Sequence, residues 1–126
     1  MTKFESLYGD FNNALLRLEE VLKEPKTDII RDSAIKRFEI LFDLSWKTTK
    51  AFLEEHHNAS CVSPKTCFRE AFRVGLIDYN EIWIKLADDR NYTVHTYKET
   101  LAEKIYSDLP QALRSFKELA SVLKSS

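Results

Sequence analysis

Glycine occurs twice in this 126-residue chain, at Gly9 and Gly75, and proline three times, at Pro25, Pro64 and Pro110. Sheet proteins spend these residues on frequent turns, so their scarcity predicts few turns and long helices. It also excludes glycine-built phosphate loops, because a Walker A loop or a dinucleotide fingerprint needs two or three glycines within a few residues and here the pair is widely separated. Neither sign of charge prevails: 19 Lys and Arg face 20 Asp and Glu, for a net charge of −1. No global field therefore attracts nucleic acid or an anionic membrane, and any such binding needs a local patch. Apolar runs of the ~20 residues that span a bilayer are missing, and the opening MTKFESLYGD carries charge but no apolar signal-peptide core. A cytoplasmic protein with no membrane partner is expected. Cysteine is limited to Cys61 and Cys67, a sparse pair that a reducing cytosol leaves as free thiols.

What is present is enough for one core, with 44% hydrophobic and 31% charged residues. Residues 1–126 are expected to form a single domain. From Phe4 the apolar positions Leu7, Phe11, Ala14, Leu15, Leu18, Val21 and Leu22 draw one helical stripe, which Pro25 ends. A second helix is predicted from Thr27 or Asp28, with Ala34, Ile35, Phe38, Leu41, Phe42, Ser45, Thr49, Phe52 and Leu53 on one face. Ile40, Leu44 and Ala51 widen that face, so this helix should be central and covered on two sides. HHNASCVS, from His56 to Ser63, reads as the main loop. Ser63 and Pro64 open a short helix buried through Phe68, Ala71 and Phe72 and closed by Gly75. Asp78 and Glu81 have the spacing of a capping box ahead of Ile82, Trp83, Leu86 and Ala87. The last helix carries Leu101 through Leu123, with Pro110 expected to kink it rather than let Asp108 and Gln111 start a fresh one. The expected fold is all-α, an antiparallel bundle of about five helices.

Chemistry concentrates around the three histidines, the side chains that exchange protons near neutral pH. His56 and His57 lie near Cys61 and Cys67, but the spacing matches no zinc finger or HExxH site, and a helix C-terminus favours cations anyway. No metal site is expected there. His95 lies in the chain's densest reactive run, Asp88-Asp89-Arg90-Asn91-Tyr92-Thr93-Val94-His95-Thr96-Tyr97. Its ordinary explanation is a helix junction in which Arg90 pairs with a nearby carboxylate, His95 caps a turn and the tyrosines pack. On a regular helix Arg90 and His95 would point about 140° apart. Either the helix is interrupted at β-branched Thr93 and Val94, or a two-fold axis brings the motif of one subunit beside that of another. Arginine and histidine suffice to cleave RNA without metal or cofactor: the guanidinium fork grips a phosphate and the imidazole moves the 2′-hydroxyl proton. Asn91 would orient either partner. Arg69, Arg73 and Lys85 offer local positive charge for RNA phosphates, although a solvated helix face explains them as well.

At Arg90, Asn91 and His95 the sequence resembles the HEPN superfamily of small helical proteins, whose ribonuclease members carry arginine, a polar residue, then histidine four to six residues after the arginine. His95-Thr96-Tyr97 extends the match to the RX4HXY form of HepT-type toxins. AIKRFEILFDLSWKTTKAFLE, FREAFRVGLI and DDRNYTVHTY, in that order, are similar to the proteins called nucleotidyltransferase substrate-binding subunits, over most of the chain after Ser33. The resemblance implies a HEPN-like bundle that dimerises across the Arg/His motif and cuts RNA with Arg90, Asn91 and His95. It also implies a partner, a minimal nucleotidyltransferase antitoxin from a neighbouring gene, which blocks the toxin by AMPylating Tyr97. A bulky anion two residues from His95 would repel RNA. The chain itself lacks the transferase's glycine-serine and paired-aspartate signature. The alternative is a non-catalytic subunit that binds nucleotide or another substrate for the transferase, with Arg90 and His95 merely holding a phosphate. A purely structural dimerisation partner would leave the polar cluster unexplained.

Overall fold

The computed structural model describes residues 1–125, and every regular element among them is helical. Helix α1 spans Lys3–Leu22, α2 Asp28–His57, α3 Pro64–Arg73, α4 Ile82–Tyr92 and α5 Glu99–Ser125, with one 3₁₀ turn at Thr93–His95. The starts are written locally. Thr2 accepts from the Glu5 amide (3.1 Å) while Glu5 reaches back to the Thr2 amide, Thr27 caps Ile30 (3.1 Å), and Ser63 and Thr66 cap each other ahead of Pro64. The ends are equally local. Asn58 takes a left-handed conformation (φ 49°) after α2, and Gly75 (φ 80°) turns the chain after α3, where the Leu76 amide bonds back to the Ala71 carbonyl at 2.9 Å.

Helices α1, α2 and α5 run alongside one another, and α3 and α4 close the remaining side against α2. Five aromatic rings from four helices form a closed circuit through the core: Phe38 to Phe42 to Phe68 to Trp83 to Phe116 and back to Phe38, with centroid separations of 4.4 to 6.2 Å. Around it Phe11, Leu18, Leu41, Leu86, Ile105, Leu109 and Leu119 are fully buried. The predicted stripes of α1, α2 and α5 therefore face one core, and α2 is the central helix. Ser45, Thr48 and Thr49 are buried on α2 without cost, because each hydroxyl donates to a carbonyl one turn back.

Several local expectations are corrected. Helix α2 continues through His57, because His56 stacks on Phe52 (4.5 Å) and extends the ladder past the predicted loop boundary. Cys61 and Cys67 are not free thiols: they are joined in a disulfide, brought within a Cα separation of 5.1 Å by the turn after Asn58 and buried with Leu53 and Ala71. Proximity, which the compartment argument does not weigh, decides the pairing. Phe72 is 46% exposed, and Cys67 takes its predicted place in the buried stripe of α3. Asp78 and Glu81 do not cap α4. Asn80 does so instead, its side-chain oxygen accepting from the Ile82 amide at 3.0 Å. As expected, no fresh helix starts at Asp108 and Gln111: helix α5 continues through Pro110, and Asp108 pairs with Lys85 and Lys104.

Two buried charge clusters fix the segment between α4 and α5. Arg31, buried on α2, donates to Glu99 (2.6 Å) and Glu103 (3.0 Å) at the start of α5 and to Asp32 (3.0 Å), and these bonds raise its pKa further. Asp89 on α4, 1% exposed, receives Lys104 at 2.6 Å and faces Asp108 on α5, which Lys85 approaches at 3.2 Å. Burial first, and then the shared hydrogen bond with Asp108, push Asp89 up to about 6 against the pull of Lys104. Burial opposes ionisation of Asp108 as well, but hydrogen bonds with Asp89, Lys104 and Lys85 hold it below its ordinary value. A proton on Asp89 thus gives a shared hydrogen bond to the two buried oxygens that otherwise lack one, Asp89 Oδ2 and Asp108 Oδ2, the latter with Lys104 Nζ at 3.1 Å.

Because folded Asp89 keeps its proton up to about 6 and the unfolded chain releases it near 3.8, its contribution to stability is complete below that lower value and is lost as pH rises through 6. Asp89→Asn, a permanently neutral mimic, is therefore expected to gain stability relative to wild type between pH 5 and pH 7.5 in urea denaturation. A difference between the two proteins that does not change with pH would contradict the shared proton.

Candidate functional site

The last turn of α4 leaves α-helical geometry at Thr93, and two threonines show why. Thr93 Oγ1 donates to the Arg90 carbonyl (2.7 Å) and Thr96 Oγ1 to the Thr93 carbonyl (3.1 Å), both three residues back, which favours the tighter 3₁₀ turn. The turn continues through Thr96 and Tyr97 until Lys98, whose amide bonds to the His95 carbonyl at 3.1 Å. The helix is thus interrupted at Thr93, one of the two arrangements open to the motif.

Arg90 projects from α4 towards α2. Its Nε and Nη2 each lie 3.0 Å from one oxygen of Asp43, a bidentate fork, while Glu39 stands 3.7 Å from Nη2 and Nη1 donates to Thr93 Oγ1 at 3.1 Å. The hydrogen bonds it donates to Asp43 raise the guanidinium pKa beyond its usual value, so its charge is permanent. The side chain is 24% exposed and lines, with Asn91, Asp43, Trp46 and Lys65, an open cavity of about 440 Å³ between α2, α4 and the start of α3. His95 and Tyr97 stand outside this cavity in solvent. The Tyr97 hydroxyl lies 3.4 Å from His95 Nδ1, the rings meet edge to face at 5.9 Å, and Tyr97 is 75% exposed. Tyr92 and Val94 are exposed beside them.

The structure thus brings Arg90 together with Asn91, and His95 with Tyr97, but makes no hydrogen bond between the two pairs. The more distant basic residues divide. Arg73 is held by Glu70 and Lys85 by Asp108, which makes them ordinary surface and half-buried pairs. Arg69 is exposed and has no hydrogen-bond or ion-pair partner among the described residues. Sequence reasoning missed Asp43, Glu39 and Lys65. Asp43 and Glu39 lie on the polar side of a helix chosen for its apolar face, more than forty residues before Arg90, and no local pattern links them. Among the described residues no group of three or more His, Cys, Asp or Glu is placed to hold a metal ion, and no helix is long and apolar enough to cross a membrane.

Residues 6–125 match the family model described as nucleotidyltransferase substrate binding protein like. A relative from Haemophilus influenzae, named probable ribonuclease HepT, is 32% identical over 90 residues, which cover 68% of this chain and 62% of that protein. The aligned stretch thus spans less than two thirds of that relative's length. Among solved structures, a crystal structure of a Thermus thermophilus protein is 37% identical with a TM-score of 0.85, over 90% of this chain and 98% of that one. A Haemophilus influenzae protein, whose structure is described as revealing the fold of a substrate binding domain of a nucleotidyltransferase, is 25% identical with a TM-score of 0.70, over 96% of both chains. By a family match over nearly its whole length, the chain belongs to the family described as nucleotidyltransferase substrate binding protein like.

Proposed function

We propose that the protein is the HEPN toxin of a two-gene toxin-antitoxin system, a metal-independent endoribonuclease that works as a homodimer through its RX4HXY motif. The observation that carries this reading is the break after Tyr92, which leaves a permanently charged arginine in an open cavity and an imidazole in solvent on the adjoining turn. The fork that Arg90 offers to Asp43 has the geometry that grips two oxygens of a phosphate. A phosphodiester entering the cavity would exchange for that carboxylate and be held as negative charge builds on its oxygens. His95 takes the proton of the ribose 2′-hydroxyl as its oxygen attacks phosphorus; the 5′-oxygen leaves with a proton in return. The second histidine of a dimer is suited to return that proton, and exposed Tyr92 and Val94 provide apolar surface for the two-fold contact. The name of the Haemophilus influenzae ribonuclease relative supports the activity.

Tyr97 suits the role of modification site. Its hydroxyl is accessible and adjacent to His95 Nδ1. In AMPylation the tyrosine oxygen attacks the α-phosphorus of ATP, the bond to the β-phosphate breaks, pyrophosphate leaves, and the hydroxyl proton passes to a base of the partner transferase. The product puts an anionic phosphodiester against the imidazole. A second reading, a non-catalytic subunit that holds a nucleotide or other substrate for the transferase, draws on Asp43 and Glu39, which already neutralise Arg90, and on the solved relative described as a substrate-binding domain.

Purified protein is expected to degrade RNA in the presence of EDTA, and His95→Ala to lose ~10²–10⁴ of that rate while keeping its helical content and sedimentation as a dimer. Equal cleavage by both would refute the catalytic role and favour the binding subunit. Incubation with ATP and the partner transferase is expected to add one adenylate to the wild-type chain and none to Tyr97→Phe, read by intact mass. Labelling of both chains alike would place the modification elsewhere.

A further inference from the structure

A second cleft lies on the other side of Lys65 from the Arg90 cavity. It has a volume of about 260 Å³ and is walled by Phe68, Phe72, Tyr79, Trp83 and Ile84, with Lys65, Arg69, Asp78 and Asn80 around it. Its floor is rigid, since Phe68 and Trp83 are buried and stack at 4.4 Å with their planes 13° apart. Its mouth is aromatic and exposed. Phe72 and Tyr79, 46% and 63% exposed, meet edge to face at 5.5 Å across the turn between α3 and α4. Large aromatic side chains held in water without a covering element are costly to leave unused.

We propose that this cleft takes one unpaired nucleobase of a single-stranded RNA, flanking the nucleotide whose phosphate Arg90 holds. The inference rests on the ribonuclease reading and adds to it a site for substrate recognition. Three observations select the occupant. The volume falls just below the ~300–1,000 Å³ of sites for drug-sized ligands, which suits a single ring system better than a whole nucleotide or a protein segment. The chemistry is that of stacking platforms for single strands, in which aromatic faces receive bases and nearby cations receive the backbone. Arg69, unpaired at the rim, supplies that cation, and the Asp78 carboxylate is an acceptor for an exocyclic base amine. The placement is continuous with the first site. Lys65 lines both cavities, and Trp83 of this cleft and Arg90 of the other lie about 10 Å apart along α4. A strand crossing over Lys65 would reach both.

The test uses full-length protein carrying His95→Ala, so that bound RNA is not cut, and follows the fluorescence anisotropy of a labelled single-stranded oligoribonucleotide and of a hairpin whose stem pairs the same bases. Adding Phe72→Ala and Tyr79→Ala together, both at exposed positions, is expected to weaken single-strand binding roughly tenfold or more and to leave stem binding unchanged. Replacing one nucleotide of the oligomer by an abasic unit should cause the same loss in the parent and no further loss in the double variant. Arg69→Gln should weaken binding and reduce its salt dependence. Unchanged single-strand affinity in the double variant overturns the proposal, as does an equal loss for strand and stem. A shift from dimer to monomer on sedimentation also overturns it, since the cleft would then be covered by a second copy of the chain. Wild-type protein that does not cut RNA but binds single strands through Phe72 and Tyr79 would refute the ribonuclease reading and leave the base site standing. A protein that cuts RNA with no dependence on these rings would do the reverse.

Discussion

Burial of one broad apolar face on α2 organises everything else in the molecule. Each of the other helices, and the 3₁₀ turn, packs against this 30-residue element, and the five-ring circuit starts and ends on its Phe38. The same helix measures out the candidate site. Arg90 is tied to Asp43 and Glu99 to Arg31, so the connection from α4 to α5 must stretch between two points of α2 about 18 Å apart. The break at Thr93 falls between these two ties, and the Thr93 and Thr96 hydroxyls donate to the carbonyls of Arg90 and Thr93 there.

The adjacent residues Asp89 and Arg90 hold the end of α4 from opposite sides. Asp89 reaches Lys104 and Asp108 on α5, whereas Arg90 reaches Asp43 on α2. Both are ionisable groups withdrawn from water, and such groups stabilise little once their desolvation is counted. Their effect is positional: with α4 clamped in both directions, the Arg90 fork and the His95 turn keep a fixed relation. The near-neutral net charge of the chain fits this arrangement. A focused site of one arginine, one histidine and an aromatic platform relies on geometry at close range, where a basic surface would bind any nucleic acid regardless of shape.

Much of the fold was legible because its signals are local. Thr27 and Ser63 cap the helices expected of them, Gly75 closes α3, and the three-and-four spacing located the core faces of α1, α2 and α5. The failures are equally instructive. The Cys61–Cys67 disulfide depends on the path of a loop, which compartment and spacing do not define. The spacing puts Phe72 on the core face of α3, yet it is 46% exposed, because the buried stripe runs through Cys67, Phe68 and Ala71 and leaves Phe72 at its edge. The motif itself was visible as a dense run of reactive side chains, and the interruption at Thr93 and Val94 weighed for it is present. What the run could not reveal was Asp43, Glu39 and Lys65, which join it only through packing of distant segments.

The central claim is that Arg90 and His95 promote attack by a neighbouring ribose hydroxyl, with no metal to activate water. The chemistry leaves a signature on the product. Mass spectrometry of fragments generated in EDTA from a defined single-stranded RNA should show a 2′,3′-cyclic phosphate on the upstream fragment, and a single 2′-deoxy substitution at the cut position should abolish cleavage there. Upstream fragments ending in a free 3′-hydroxyl, or cleavage that survives the 2′-deoxy substitution, would contradict the account.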